Sequence, residues 1–80
     1  MKQKPNYIIE GLENKRIEIT TKFFGKNCYY IYRGPLDKKE VDFLYMSDCE
    51  VVKIINGKEV ERKNIDRIAL SKSIVSWIRF

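Results

Sequence analysis

Glu50-Val51-Val52-Lys53-Ile54-Ile55-Asn56-Gly57-Lys58-Glu59-Val60 carries the decisive local pattern of this 80-residue chain. β-branched residues crowd the run before Asn56, as a strand packed on a pleated surface favours. A two-residue hairpin needs positive φ at both central positions, which Asn and Gly adopt at little cost. Lys53-Ile54-Ile55 is therefore expected to pair back onto Lys58-Glu59-Val60.

Upstream of that hairpin the same period recurs. Ile17, Ile19, Thr21 and Phe23 alternate with Glu18, Thr20 and Lys22, so residues from Arg16 onward read as a half-buried strand. Phe24-Gly25-Lys26-Asn27 turns the chain, and Cys28 to Arg33 forms the second strand. Tyr29, Tyr30 and Tyr32 cannot all face one core, so at least one ring is expected on a surface or a subunit contact. Gly34-Pro35 followed by Leu36-Asp37-Lys38-Lys39-Glu40 predicts a bend leading into an exposed loop. Val41 to Met46 is the third strand, interrupted briefly at Ser47-Asp48. Downstream, Arg62-Lys63-Asn64 is a place for a bulge or loop, and Ile65–Leu70 and Ile74–Phe80 are the last strands. Only Ser71-Lys72-Ser73 separates those two, which leaves no room for a crossover helix and implies a tight corner or antiparallel turn. Before the first strand, Asn6 caps a short predicted helix bearing Tyr7, Ile8 and Leu12, which Gly11 limits to about two turns. The expected fold is mainly β: one domain over 1–80, a small strongly bent five-stranded antiparallel barrel with a short N-terminal helix.

Composition narrows the function. A chain this short buries only about 60% of its unfolded surface, so outside support is expected. Cys28 and Cys49 are the only cysteines and histidine is absent, so one chain cannot supply a four-ligand zinc site. Met1–Pro5 show no apolar signal segment, and both cysteines are read as reduced, buried small hydrophobes of an intracellular, cytoplasmic protein. Oligomerisation is left as the stabiliser. No apolar run approaches the length of a membrane span. Lys and Arg number 16 against 11 Asp and Glu, a net charge of +5 that suits a polyanionic partner, although no basic run exceeds two residues. Without histidine no nucleophile has an obvious base, and the carboxylate pairs Glu59/Glu61 and Asp48/Glu50 read as solvated faces. The chain is therefore expected not to be an enzyme and to take no cofactor or small-molecule substrate.

The order of elements resembles the Sm-like (LSm) family of RNA-associated proteins, over nearly the whole chain. Asn14-Lys15-Arg16-Ile17-Glu18-Ile19 is similar to the family's opening strand, and Tyr32-Arg33-Gly34-Pro35-Leu36 to its aromatic-x-Gly-x-Leu stretch. Leu44-Tyr45-Met46-Ser47-Asp48-Cys49-Glu50-Val51 resembles the hydrophobic third strand running into an acidic step. Ile68 to Ile78 has the family's strand, short turn, strand layout. The resemblance implies an SH3-like barrel, a homo-oligomeric ring of about six to eight copies and an RNA partner. The matching positions depart where the family binds RNA. Asp42 sits near the place of a base-contacting Asn, and Leu70 and Ser71 stand where the family has Arg-Gly.

Two sets of residues follow as candidates. If RNA binds, Lys38, Lys39, Asp42, Ser71 and Lys72 are the expected contacts, with the lysines holding backbone phosphates at the loops. Tyr29, Tyr30, Tyr32 and Arg33 interleave rings with a cation, a pattern that serves base stacking or plain strand packing. For assembly, Ile74, Ser76, Trp77, Ile78 and Phe80 of the final strand are the expected subunit contact, because both its sides carry large apolar groups. Three functions remain open: a ring protein that binds RNA, a protein-protein scaffold with the same barrel, or another small-barrel DNA-binding domain.

Overall fold

The computed structural model describes residues 15–79; the predicted N-terminal helix lies outside the described residues, as does Phe80. Five strands, β1 (Arg16–Thr21), β2 (Cys28–Lys39), β3 (Phe43–Ile55), β4 (Lys58–Ser71) and β5 (Val75–Arg79), form one antiparallel sheet in the order β4-β3-β2-β1-β5. A 3-10 turn (Lys72–Ile74) joins β4 to β5. No ladder joins β4 to β5 among the described residues, so the expected barrel is a bent sheet with two unpaired edges.

Asn56 and Gly57 both take positive φ, 52° and 79°, as the two-residue hairpin between β3 and β4 requires. Asn27, at φ 57°, sits beside that turn: its carbonyl accepts from the Asn56 amide at 2.9 Å, and its side-chain amide donates to Asn56 Oδ1 at 2.9 Å.

Two expected breaks are absorbed into strands. Gly34-Pro35 lies within β2, not at the head of a loop. Pairing of β2 with β3 is irregular between Arg33 and Leu36, so Pro35 sits where its missing N–H costs no ladder bond to β3. Ser47-Asp48 lies within β3, with Asp48 in the left-handed region at φ 45°. That kink resets the alternation: Leu44 and Met46 point inward before it, and Cys49 and Val51 point inward after it. Arg62–Asn64 are also strand, and the β3–β4 irregularity falls between Lys53 and Ile54 instead. β1 ends at Thr21, two residues before Phe23, because Lys22 already donates its amide to Ile74 O at 2.7 Å. β3 begins at Phe43 and β5 at Val75, since Val41 belongs to a tight turn and Ile74 to the 3-10 turn.

The core is Ile17, Ile19, Leu36, Leu44, Met46, Cys49, Val51, Leu70 and Ile78, with Tyr30 and Tyr32 packed against it. Tyr29 takes the other face of β2 and packs on Phe23, ring centroids 5.4 Å apart. Thus the three tyrosines divide between two faces. Cys28 pairs with Ile55 at one end of the β2–β3 ladder, while Cys49 lies near Gly34, midway along it. Ile55 lies six positions along β3 from Cys49, roughly 20 Å, beyond the reach of a disulfide. Burial pushes the Cys49 thiol up to about 11, so it stays protonated near neutral pH.

Gly34 is the tightest point of the bend. A Cβ there would lie 3.1 Å from Asp48 O and from Cys49 Cα, and 3.2 Å from Ser47 O. These are backbone atoms of a paired strand and cannot swing aside. Gly34→Ala is expected to cost about 1–3 kcal/mol, and Gly34→Val more, through overpacking. Urea midpoints at unchanged slope measure the loss; a Gly34→Ala midpoint equal to the parent's contradicts this view of the bend.

Candidate nucleic-acid interface

The β2–β3 connection is a compact turn in which the Glu40 amide donates to Phe43 O at 2.8 Å. Its neighbour is the β4–β5 connection, because Phe43 pairs with Ser71 and the Lys72 amide donates to Asp42 O at 2.8 Å. Two segments thirty residues apart in sequence therefore share one end of the sheet. Of the expected RNA contacts, the structure brings Asp42, Ser71 and Lys72 together here.

Lys38 and Lys39 end β2 close by, but consecutive strand residues leave opposite faces. Lys38 Nζ lies 3.4 Å from Glu40 Oε2 and 5.2 Å from the centre of the Tyr45 ring. Lys39 instead pairs with Leu44, whose side chain is in the core. Ser71 is occupied by the backbone, since its Oγ accepts from the Ser73 amide at 3.3 Å and caps the 3-10 turn. Leu70, at the place of the family's arginine, is buried and offers no polar contact.

Outside the turn, Asp37, Lys38, Tyr45, Ser47 and Arg67 line an open groove of about 460 Å³. Alternation on β3 places Phe43, Tyr45 and Ser47 on its outer face, and the Phe43 and Tyr45 rings lie 6.4 Å apart. Tyr45 Oη donates to Glu40 Oε1 at 2.9 Å, and that bond holds its proton above the ordinary phenol range. Asp37 Oδ1 accepts from Ser47 Oγ at 3.0 Å. Tyr45 and Arg67 are additions to the expected set. The alternation from Phe43 to Ser47 signals the first, whereas the second needs the β3–β4 register.

The final strand splits its expected contacts. Ile78 is buried opposite Ile19 in the core, Ile74 packs against that core, and Ser76 and Trp77 are exposed. What β5 offers a second chain is mainly its free backbone edge.

A row of alternating charge crosses the outer face from one edge to the other. Glu18 on β1 receives Arg79 of β5 at 3.7 Å and Arg33 of β2 at 3.4 Å. Arg33 also reaches Glu50 of β3 at 3.2 Å, and Glu50 meets Arg62 of β4 at 2.7 Å. Arg62 closes the row with a two-bond contact to Glu59, at 2.7 and 2.8 Å. Hydrogen bonds from Arg62, then Arg33, hold the Glu50 carboxyl below the usual range, and Arg62 does the same for Glu59.

No family model and no curated protein sequence matches this chain. Among solved structures it is similar to an Sm-like protein, AF-Sm2, from Archaeoglobus fulgidus. The TM-score is 0.60 at 19% identity, covering 99% of this chain and 96% of the other. The fold is therefore that of the Sm-like proteins.

The charge row predicts an acid-sensitive component of stability. A carboxyl whose folded pKa is depressed contributes fully above its unfolded value and loses that contribution as pH falls through the folded one. Urea midpoints should hold steady from neutrality to about pH 5 and decline below the ordinary glutamate value of 4.5. Glu50→Gln should lower the neutral midpoint and flatten the acid limb. An acid limb as steep as the parent's contradicts the assignment.

Proposed function

We propose that this chain is a non-catalytic, Sm-like subunit that assembles edge to edge into a ring and binds RNA at its loop end. One observation carries the reading: a single bent sheet whose first and last strands in space, β4 and β5, each keep one edge unpaired among the described residues. Two different free edges on one subunit favour head-to-tail pairing, which closes a ring when the rotation per copy allows it. The Sm-like fold supports a ring of about six to eight copies. Each subunit then presents its turn at Glu40–Asp42 and its turn at Lys72–Ile74 repeatedly, so weak contacts sum through avidity.

The RNA contacts in this reading are Lys38, Lys39 and Lys72, with Asp42 and Ser71 shaping the turn. Tyr45 and Arg67 border the same end through the outer groove. Lacking the family's Arg-Gly step, the site is a holder of backbone phosphates with little base preference. A protein scaffold with no nucleic acid is the competing function, favoured by the mixed charge at this end, where Asp37, Glu40 and Asp42 stand among the cations. Absence of catalysis is supported by the buried, protonated Cys49 and by the lack of histidine.

Anisotropy titrations of uridine-rich, adenine-rich and mixed oligoribonucleotides at two salt concentrations test the reading. The parent should bind all three at low salt. The triple change Lys38→Ala, Lys39→Ala, Lys72→Ala should weaken all three by a similar factor and reduce the salt slope, by about 0.7 for each phosphate no longer held. No binding by the parent at low salt favours the scaffold; a uridine preference that survives the triple change requires a base pocket elsewhere.

A further inference from the structure

The outer face of β5, β1 and β2, away from both turns, carries a different constellation. Arg16, Glu18, Arg33 and Arg79 line a cleft of about 270 Å³, with Ile17 and Gly34 at its floor. Three guanidinium groups surround one carboxylate. Arg79 approaches Glu18 with Nε 3.7 Å from Oε1, an ion pair with no hydrogen bond, and keeps 69% of its side chain exposed. Arg33 uses Nε and Nη1 on Glu18 and Glu50, which leaves Nη2 unspent in these pairs. Arg16 makes no ion pair with another described residue. An arginine has five N–H donors, so among the described residues most of the donors around this cleft meet no side-chain acceptor.

Trp77 stands on the same face. It lies two residues before Arg79 on β5 and pairs with Thr20, beside the Glu18–Arg79 pair. Successive same-face residues are about 7 Å apart along a strand. Trp77 is 59% exposed, whereas Ile78 between the two is in the core. A strand side chain stands roughly perpendicular to the sheet, so an edge-paired neighbour using the backbone of β5 does not by itself cover this ring.

We propose that this face is a second nucleic-acid site, a platform for single-stranded RNA on which Trp77 stacks one base and Arg16, Arg33 and Arg79 hold the adjoining phosphates. It rests on the reading that the chain binds RNA, but not on the turns as the place of contact. Exposed indole beside clustered guanidinium suits single strands, whose unstacked bases offer π faces and whose phosphates take forked N–H donors. The two ends differ in their charge balance. At the turns and the outer groove, Lys38, Lys39, Lys72 and Arg67 stand among Asp37, Glu40 and Asp42, while the cleft's lining holds three arginines and one acid. Sequence order hides this site, because Arg16, Arg33 and Arg79 come from three strands and meet only through the β2-β1-β5 register.

The chain has one tryptophan, so its emission reports on the platform directly. The test follows Trp77 emission and oligonucleotide anisotropy together during titration with a mixed-sequence 12-nucleotide RNA. Before RNA, Trp77 should be quenched freely by acrylamide; shielded emission means that a subunit covers it and overturns the proposal. On titration, emission should be quenched in step with anisotropy. Trp77→Ala should weaken binding at least about fivefold, as loss of one stacking partner does. The pair Arg16→Gln, Arg79→Gln should lower the salt slope by about 1.4, and Arg16→Gln alone, which breaks no ion pair among the described residues, should retain the parent's urea midpoint. Binding by anisotropy with silent Trp77 and an unaltered double variant overturns the platform and leaves the turns as the RNA site. Quenching that survives the triple lysine change places RNA here instead. Absence of any RNA binding removes both sites. Polyglutamate of equal charge binding as tightly as RNA, without stacking-type quenching, overturns the commitment to nucleic acid.

Discussion

The close passage of β2 over β3 at Gly34 is the constraint from which the rest of the structure follows. With no side chain there, the β2 backbone approaches the Ser47–Cys49 backbone to within contact of an imagined Cβ. A sheet of five strands with long members cannot enclose a core while flat, so it must bend sharply somewhere. Here the bend is shared between Gly34-Pro35 on one strand and the left-handed Asp48 on the next. The shift at Asp48 lets one continuous strand send Leu44 and Met46, then Cys49 and Val51, into the same core. The bent sheet also accommodates the meeting of the Glu40–Asp42 and Lys72–Ile74 turns.

Bending concentrates apolar groups inside and leaves the outer face to polar chemistry. On that face the cross-strand neighbours alternate in sign from Arg79 to Glu59, so each interior member of the row has oppositely charged partners on both sides. Individually such exposed pairs contribute little; as a connected row they specify which strand residues sit opposite one another. The row also shows why a net charge of +5 is a poor guide to where a polyanion lands. Arg33, Arg62 and Arg79 are matched by carboxylates within the row, so they add less to a free positive patch than their number implies.

The local turns were legible from their own residues and the overall strand layout through the Sm-like resemblance, whereas the places where paired strands bend and the register between strands were not. Asn56-Gly57 announced its turn because the φ requirement is carried by the two residues themselves. Alternation placed the first strand, and aromatic or β-branched runs placed parts of the other four. Gly34-Pro35 and Ser47-Asp48 misled because residue types that end an isolated strand also serve to bend a paired one, and only the partner strand decides between the two. The loop candidates Asp42, Ser71 and Lys72 were legible through the Sm-like resemblance rather than through their own chemistry. Lys38 and Lys39 show the limit of reading a pair of like charges as one patch: one position apart on a strand, they diverge. Arg16, Arg33 and Arg79 were out of reach because no local pattern encodes a register among three strands.

In the proposed assembly, the β4 and β5 edges left open among the described residues are completed by further copies of this chain. Native mass spectrometry at low micromolar concentration tests it most directly. The predicted result is one closed species of about six to eight copies of the 9.6 kDa chain. A monomer, stably folded at that concentration with both edges open, contradicts it.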